Sequence, residues 1–258
     1  MTKTNKTDYV SVIDSGVGGL SLIPTLRAVI PHEDVVYFGD AANAPYGERS
    51  AAEVREIVDG IVDRSVKGGA KAIVLACNTA TSAAADFLRE KYPVPIIGME
   101  PALKPAAEAG DRPRVLVMAT PLTVREGKLH VLYERLKDKA DFVLVPCRGL
   151  VEAVERGEVE GDRVRKTVED LLSPHLPGVD SVVLGCTHYV HLKGVIQSVV
   201  GEKVKLFDGT EGTARQTRRR LEEAGILRES GDGSFTLTHS SPDPAYGDIC
   251  RDLLQRLI

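Results

Sequence analysis

Apolar residues in this chain fall into short unbroken runs, separated by stretches whose apolar positions recur with helical spacing. The runs predict strands at Tyr9–Asp14, Val35–Asp40, Ala72–Cys77, Pro95–Gly98, Arg114–Thr120, Asp141–Cys147, Ser181–Cys186 and Val204–Asp208. Most lack polar alternation, the pattern of strands buried on both faces of a mostly parallel sheet. Between them, Val54, Ile57, Val58, Ile61 and Val62 form one helical stripe. A second helix is predicted to start near Ser21 and stop before Pro31, with Pro24 in its first turn. This alternation predicts an α/β fold with right-handed crossovers.

One internal similarity organises the rest. Ala72-Ile73-Val74-Leu75-Ala76-Cys77-Asn78-Thr79-Ala80 reads like Ser181-Val182-Val183-Leu184-Gly185-Cys186-Thr187-His188-Tyr189. In both, an apolar strand runs into a small residue, then Cys, then polar residues at a predicted helix start. The copies lie about 110 residues apart, the size of a small domain. They predict two pseudo-symmetric α/β domains, each with a mostly parallel sheet. Prolines 93, 95 and 101 crowd the chain near Gly98, and a return crossing is expected near Phe207–Asp208. The first domain is therefore expected to hold residues 1–97 plus 208–258, with the C-terminal helices rejoining it. The second holds residues 98–207.

Composition narrows the function classes. The 258 residues are 43% hydrophobic and 27% charged with a formal net charge of −4, which leaves no basic excess for nucleic acid. Met1–Thr7 is polar, unlike a signal peptide, and no apolar run is long enough to span a bilayer. The expected address is the cytoplasm, where thiols stay reduced. Cys77, Cys147, Cys186 and Cys250 form no C-x-x-C pair, so each is a core filler or a reagent in its own right.

In open α/β sheets ligands bind beyond the carboxyl ends of the strands. Four such ends carry polar or reactive residues: Asp14-Ser15-Gly16-Val17-Gly18-Gly19, Asp40 with Pro45-Tyr46-Gly47, Cys77-Asn78-Thr79, and Cys186-Thr187-His188. If the two halves face each other, these segments line one cleft. Two opposed thiols can invert a stereocentre, because one takes a proton from one face while the other returns one to the opposite face. A free thiol has a pKa of about 8.5, so a thiolate needs help. The helix start after each strand is expected to supply it by dipole and backbone N–H. His188 and Asp14 are candidates to tune or relay protons, and the same helix starts offer N–H groups to carboxylates.

Other readings of these residues stay open. Either cysteine alone could be a buried filler. Cys186 with His188 could serve a Cys-based hydrolase. A zinc site of Cys77, Cys186 and His188 lacks a fourth ligand and the usual spacings. The cleft could also bind without reacting. The glycine-rich loop has neither G-x-G-x-x-G spacing nor the Gly-Lys-Ser/Thr of a phosphate loop, and reads as a tight turn allowing close backbone approach. Cys147 and Cys250 read as structural. His32, His130, His175, His191 and His239 sit in no motif and are expected at the surface.

Taken together, Asp14-Ser15-Gly16-Val17-Gly18-Gly19-Leu20, Tyr37-Phe38-Gly39-Asp40, Pro45-Tyr46-Gly47, Ala76-Cys77-Asn78-Thr79-Ala80-Thr81 and Leu184-Gly185-Cys186-Thr187-His188-Tyr189 resemble the glutamate racemases of bacterial cell-wall synthesis, within the aspartate/glutamate racemase superfamily. Weaker similarity continues through Glu211-Gly212-Thr213-Ala214. The resemblance implies an active site between two pseudo-symmetric domains, with no pyridoxal phosphate, other cofactor or metal. It implies interconversion of L- and D-glutamate, providing D-glutamate for peptidoglycan. Cys77 and Cys186 would be the acid/base thiols, each serving one enantiomer, with Asp14 and His188 assisting proton transfer. Asp14, Ser15, Tyr46, Gly47, Asn78, Thr79, Thr187 and His188 would bind substrate, with Thr120 and Thr123 holding a carboxylate. The family's second-domain glutamate aligns with Glu155, and a small shift selects Glu152. A homo-oligomer, commonly a dimer, is implied as well, with no nucleic acid or membrane required. Three departures stand out: Val190-His191 where the family commonly has Pro-Leu, Arg148 where it often has Pro, and Glu126-Gly127-Lys128 in place of a serine and tyrosine pattern. His191 is expected at the cleft rim.

Overall fold

Each predicted apolar run becomes a strand, and one further strand joins them. The computed structural model describes residues 8–125 and 127–258. The polar segment 1–7 and Glu126 lie outside those residues, as does the side chain of Lys128. The described strands are β1 (Tyr9–Asp14), β2 (Val35–Gly39), β3 (Ala70–Leu75), β4 (Ile96–Gly98), β5 (Arg114–Ala119), β6 (Asp141–Pro146), β7 (Ser181–Leu184), β8 (Lys205–Asp208) and β9 (Phe235–His239). They form two parallel sheets, one ordered β4-β3-β1-β2-β9 and the other β6-β5-β7-β8.

Read in the opposite sense, the second sheet is β8-β7-β5-β6, the strand order of β4-β3-β1-β2. The repeat reaches individual hydrogen bonds. Ala76 N donates to Ile13 O at 2.9 Å, and Gly185 N donates to Met118 O at 2.7 Å, each one residue before a cysteine. Asp40 N donates to Asp14 O at 2.9 Å, and Cys147 N donates to Ala119 O at 2.8 Å. Both cysteine-bearing strands stop two residues short of the thiol, because Cys77 and Cys186 have become N-caps of the helices that follow.

β9 was not among the predicted strands, although its signal is present. Phe235-Thr236-Leu237-Thr238-His239 alternates with period two and follows a Gly/Ser-rich turn. It pairs with β2 at the sheet edge, where partial burial permits such alternation.

Helices Ile23–Val29, Ala51–Lys67, Asn78–Lys91 and Thr210–Glu223 belong with the first sheet's strands in sequence or packing. The predicted stripe is the buried face of Ala51–Lys67, whose start carries a Ser50/Glu53 capping box. One apolar cluster runs through both halves, joining Val17, Leu20 and Leu22 to Leu150, Tyr189, Leu192 and Tyr246. A 3-10 turn at Gly18–Leu22 is the wedge that makes this crossing, and the glycine-rich loop leads into it. No helix among the described residues is long and apolar enough to cross a membrane.

Candidate active site

β3 delivers Cys77 to the start of helix Asn78–Lys91. Its Sγ accepts from Ala80 N at 3.4 Å and lies 3.7 Å from Ser15 Oγ. The residue is 5% exposed. Burial, then the charge of Asp14, push its pKa up to about 12, against the opposing pull of the Ala80 N–H. This corrects the sequence reading that the helix start lowers the thiol's pKa. Desolvation of a thiolate outweighs one N–H bond and a helix dipole. Cys77 stands as a thiol.

β7 delivers Cys186 to a different setting. The helix after it, Thr187–Val190, is a single turn and supplies little dipole. Its chief neighbour is His188, whose Nδ1 lies 3.7 Å from Cys186 Sγ and whose Nε2 lies 2.5 Å from Glu155 Oε1. Glu155 ends helix Leu150–Glu155; its Oε1 also accepts from Val17 N at 2.9 Å, and its Oε2 accepts from Tyr246 O–H at 2.6 Å. Burial disfavours charge on both partners. For His188 the bonds to Cys186 and Glu155 win, leaving its pKa well above the ordinary value. For Glu155 the bonds from His188, Tyr246 and Val17 win and hold its carboxyl below the usual range. The pair is a buried imidazolium–carboxylate.

The geometry places Glu155, not Glu152, against His188. Tyr246 carries no distinguishing sequence signal, because with Ile249, Cys250 and Leu253 it reads as an ordinary helical core stripe.

Close approach explains the glycines. A Cβ on Gly16 would sit 1.7 Å from Glu155 Oε1, and one on Gly18 would sit 2.4 Å from His188 Nδ1. The loop admits the second half's Glu155 and His188 into contact with backbone of the first. Tyr37 O–H, donating to Gly16 O at 2.7 Å, fixes it from behind.

Asp14 is fully buried at the end of β1, its Oδ1 accepting from Gly16 N at 3.0 Å and its Oδ2 from Thr187 O–H at 3.1 Å. Burial raises its pKa, while His188 pulls the other way. Thr79, Thr120 and Thr123 form a triangle of hydroxyls 2.9–3.1 Å apart, drawn from both halves. Asn78 Nδ2 donates to Met99 O at 3.4 Å, and its buried Oδ1 has no partner among the described residues. The hydroxyl of Tyr46 donates to Asp40 Oδ2 at 2.7 Å. A Cβ on the adjacent Gly47 would meet Thr120 Cβ at 2.7 Å, which brings that backbone to the hydroxyl triangle.

Two histidines are not at the surface as expected. His191 is half-buried with Nε2 3.2 Å from Gly18 O, at the junction of the halves rather than the rim. His239 packs its ring 5.1 Å from that of Tyr246. Cys147 and Cys250 are buried, and Tyr189 O–H donates to Cys147 O at 3.2 Å. Among the described residues no group of three His, Cys, Asp or Glu side chains is disposed to hold a metal ion.

Comparisons with known proteins agree with this architecture. A family model described as Asp/Glu/Hydantoin racemase matches residues 21–217. A glutamate racemase of Bifidobacterium animalis subsp. lactis is 46% identical over 252 residues, covering 96% of this chain and 98% of that protein. Among solved structures, a glutamate racemase isoform from Bacillus anthracis superposes with a TM-score of 0.87 at 28% identity, over 96% of this chain and 94% of that one. Escherichia coli glutamate racemase, solved with L-glutamate and the activator UDP-MurNAc-Ala, gives 0.85 at 31% identity, over 98% and 96%. Sequence, fold and paired strand ends agree: the chain belongs to the Asp/Glu/Hydantoin racemase family, and it is an amino-acid racemase by descent.

Proposed function

We propose that this protein interconverts L- and D-glutamate by two-base proton transfer between Cys77 and Cys186, with no added cofactor. The observation that carries the reading is the repeat itself. Equivalent strand ends in two sheets of the same order present one thiol each, and the charge of Cys186 bears on Cys77. Glutamate rather than another amino acid is favoured by the names of the relatives, at 41–46% identity.

In one direction a thiolate at one cysteine takes the α-proton, leaving a carbanion whose charge spreads into the α-carboxylate. The thiol opposite then donates a proton to the other face. The cycle leaves the first cysteine protonated and the second deprotonated, and proton exchange restores the start. His188 stands where it can pass a proton to or from Cys186, and Asp14 lies between the two halves near Cys77. The hydroxyls of Thr79, Thr120 and Thr123, the orphan Oδ1 of Asn78 and nearby backbone N–H groups are suited to the substrate's carboxylates and ammonium. Ser15, Tyr46, Gly47 and Thr187 complete the wall.

The same reading puts the enzyme in the cytoplasm as a homodimer supplying D-glutamate to peptidoglycan. It keeps residues 1–97 with 208–258 as one domain and 98–207 as the other, a division supported by the membership of the two sheets. The test is circular dichroism of L- and D-glutamate incubated separately with purified protein. Both signals should decay to zero, and Cys77→Ser and Cys186→Ser proteins should each stall, by about 10³-fold or more. If neither glutamate enantiomer changes while aspartate is racemised, the substrate assignment is wrong; undiminished turnover by either variant would overturn the two-thiol mechanism.

A further inference from the structure

The C-terminal segment lies outside the strand-end motifs, yet it reaches the Cys186 side of the site. β9 returns to the first sheet's edge, and helix Tyr246–Gln255 follows it. Tyr246, the first residue of that helix, is 6% exposed and points its hydroxyl at Glu155 Oε2, 2.6 Å away. Its ring packs at 5.1 Å and 60° against His239, the last residue of β9. One turn on, Cys250 is buried beside the same cluster.

Glu155 thus comes from the second half but is gripped by the first. Val17 N holds Oε1 and Tyr246 holds Oε2, so that Oε1 is presented to His188. We propose that Tyr246 is a positioning residue for the Cys186 half of the reaction: its hydrogen bond fixes the Glu155 carboxylate, which orients and charges His188, which in turn serves Cys186. Among the described residues the side-chain hydrogen bond of Tyr246 goes to Glu155, on the Cys186 side. Burial, and then the charge of Glu155, push the phenol's pKa well up, so Tyr246 remains a donor at any working pH. Removing the hydroxyl leaves a buried carboxylate oxygen without its partner, and that oxygen then competes with Oε1 for the His188 proton.

The inference rests on the two-thiol glutamate racemase reading, and rates alone cannot test it. The equilibrium constant between enantiomers is one, so kcat/KM must fall equally in both directions for any variant. Primary isotope effects with α-deuterated L- and D-glutamate do separate the two halves. Tyr246→Phe, which keeps the ring against His239, should lower kcat/KM roughly 10- to 100-fold. The isotope effect should rise for the enantiomer whose α-hydrogen Cys186 removes, because that abstraction has become limiting. It should shrink for the other enantiomer, because reprotonation by Cys186 now limits. A merely structural loss lowers both rates and moves the two isotope effects together or not at all; that result overturns the proposal. If the Phe protein does not fold, Tyr246→3-fluorotyrosine keeps the hydroxyl but makes it more acidic. That variant should displace the pH profile of kcat/KM, and an unmoved profile overturns the proposal. Wild-type protein that fails to racemise glutamate removes the underlying reading and this inference with it, whereas racemisation with unsplit isotope effects removes only the role of Tyr246.

Discussion

Cys77 and Cys186 occupy equivalent strand ends, yet their surroundings are unlike. Cys77 caps a helix of 14 residues, accepts an N–H bond from Ala80 and has no imidazole beside it. Cys186 caps a helix of four residues and stands beside the hydrogen-bonded chain His188–Glu155–Tyr246. The first half manages its thiol with backbone and a buried carboxylate, Asp14. The second uses an ion pair of its own, His188 with Glu155, held by hydrogen bonds from Val17 and Tyr246 across the junction. A fold repeated for symmetry of position does not have to repeat its electrostatics. A substrate whose two faces differ gives no reason why it should.

The comparison breaks hardest where the two halves touch. Gly16→Ala drives a methyl onto Glu155 Oε1, and Gly18→Ala drives one onto His188 Nδ1, while the fold around each loop is otherwise kept. The clash can be relieved by moving the side chain, which is the point, because either move separates His188 from its partners. Racemisation is expected to drop by about 10²–10⁴-fold, the range for losing a positioned acid/base group. Far-ultraviolet dichroism should stay native. Near-normal turnover by both alanine proteins would mean that the ion pair is a bystander and that Cys186 works as Cys77 does.

Much of this was legible in the chain, and the part that was not has physical reasons. The buried parallel strands announce themselves as apolar runs, and the repeat around the cysteines follows from comparing two of them. β9 was legible too, from alternation over Phe235–His239, but a short edge strand among polar neighbours competes poorly with longer runs. Tyr246 could not have been singled out, because its role depends on a contact with a residue 91 positions away. The depressed thiol pKa expected at Cys77 failed because helix polarity can be read from sequence while depth of burial cannot. His191 failed for the same reason, since a lone histidine looks the same at a surface and at a domain junction.

A smaller effect sharpens the electrostatic contrast through pH. Glu155 has its folded pKa lowered, so its stabilisation is present above the unfolded value near 4.5 and is lost as pH falls through the folded one. His188 has its folded pKa raised, so its contribution is full below about 6.5 and fades as pH climbs through the higher folded value. Asp14 has a raised folded pKa, so its charge weakens the fold at neutral pH and acid relieves that cost. Asp14→Asn should therefore melt no lower than wild type at pH 7, with activity sharply reduced. Glu155→Gln should melt lower at pH 7, by an amount that shrinks as the pH approaches 4. Equal melting behaviour of the two variants across pH would contradict the claim that the halves differ in how they hold charge.

The smallest effect concerns the rim. Arg148 Nη1 meets Glu48 at 2.6–2.7 Å, and the pair spans from the end of the second sheet to the turn that carries Tyr46. Contacts between the halves are thus both buried, as at Glu155, and in solvent, as here, where the side chains are 65% and 41% exposed. In water the attraction is screened and two long side chains lose freedom, leaving about 0–1 kcal/mol. Arg148→Ala should shift the melting temperature by no more than a few degrees and leave kcat within a few-fold of wild type. Whatever remains should fade in high salt, as a screened pair does. A loss comparable to that of Tyr246→Phe would show that this rim contact holds the cleft closed during turnover. The asymmetry between the halves would then extend from the thiols to the entrance.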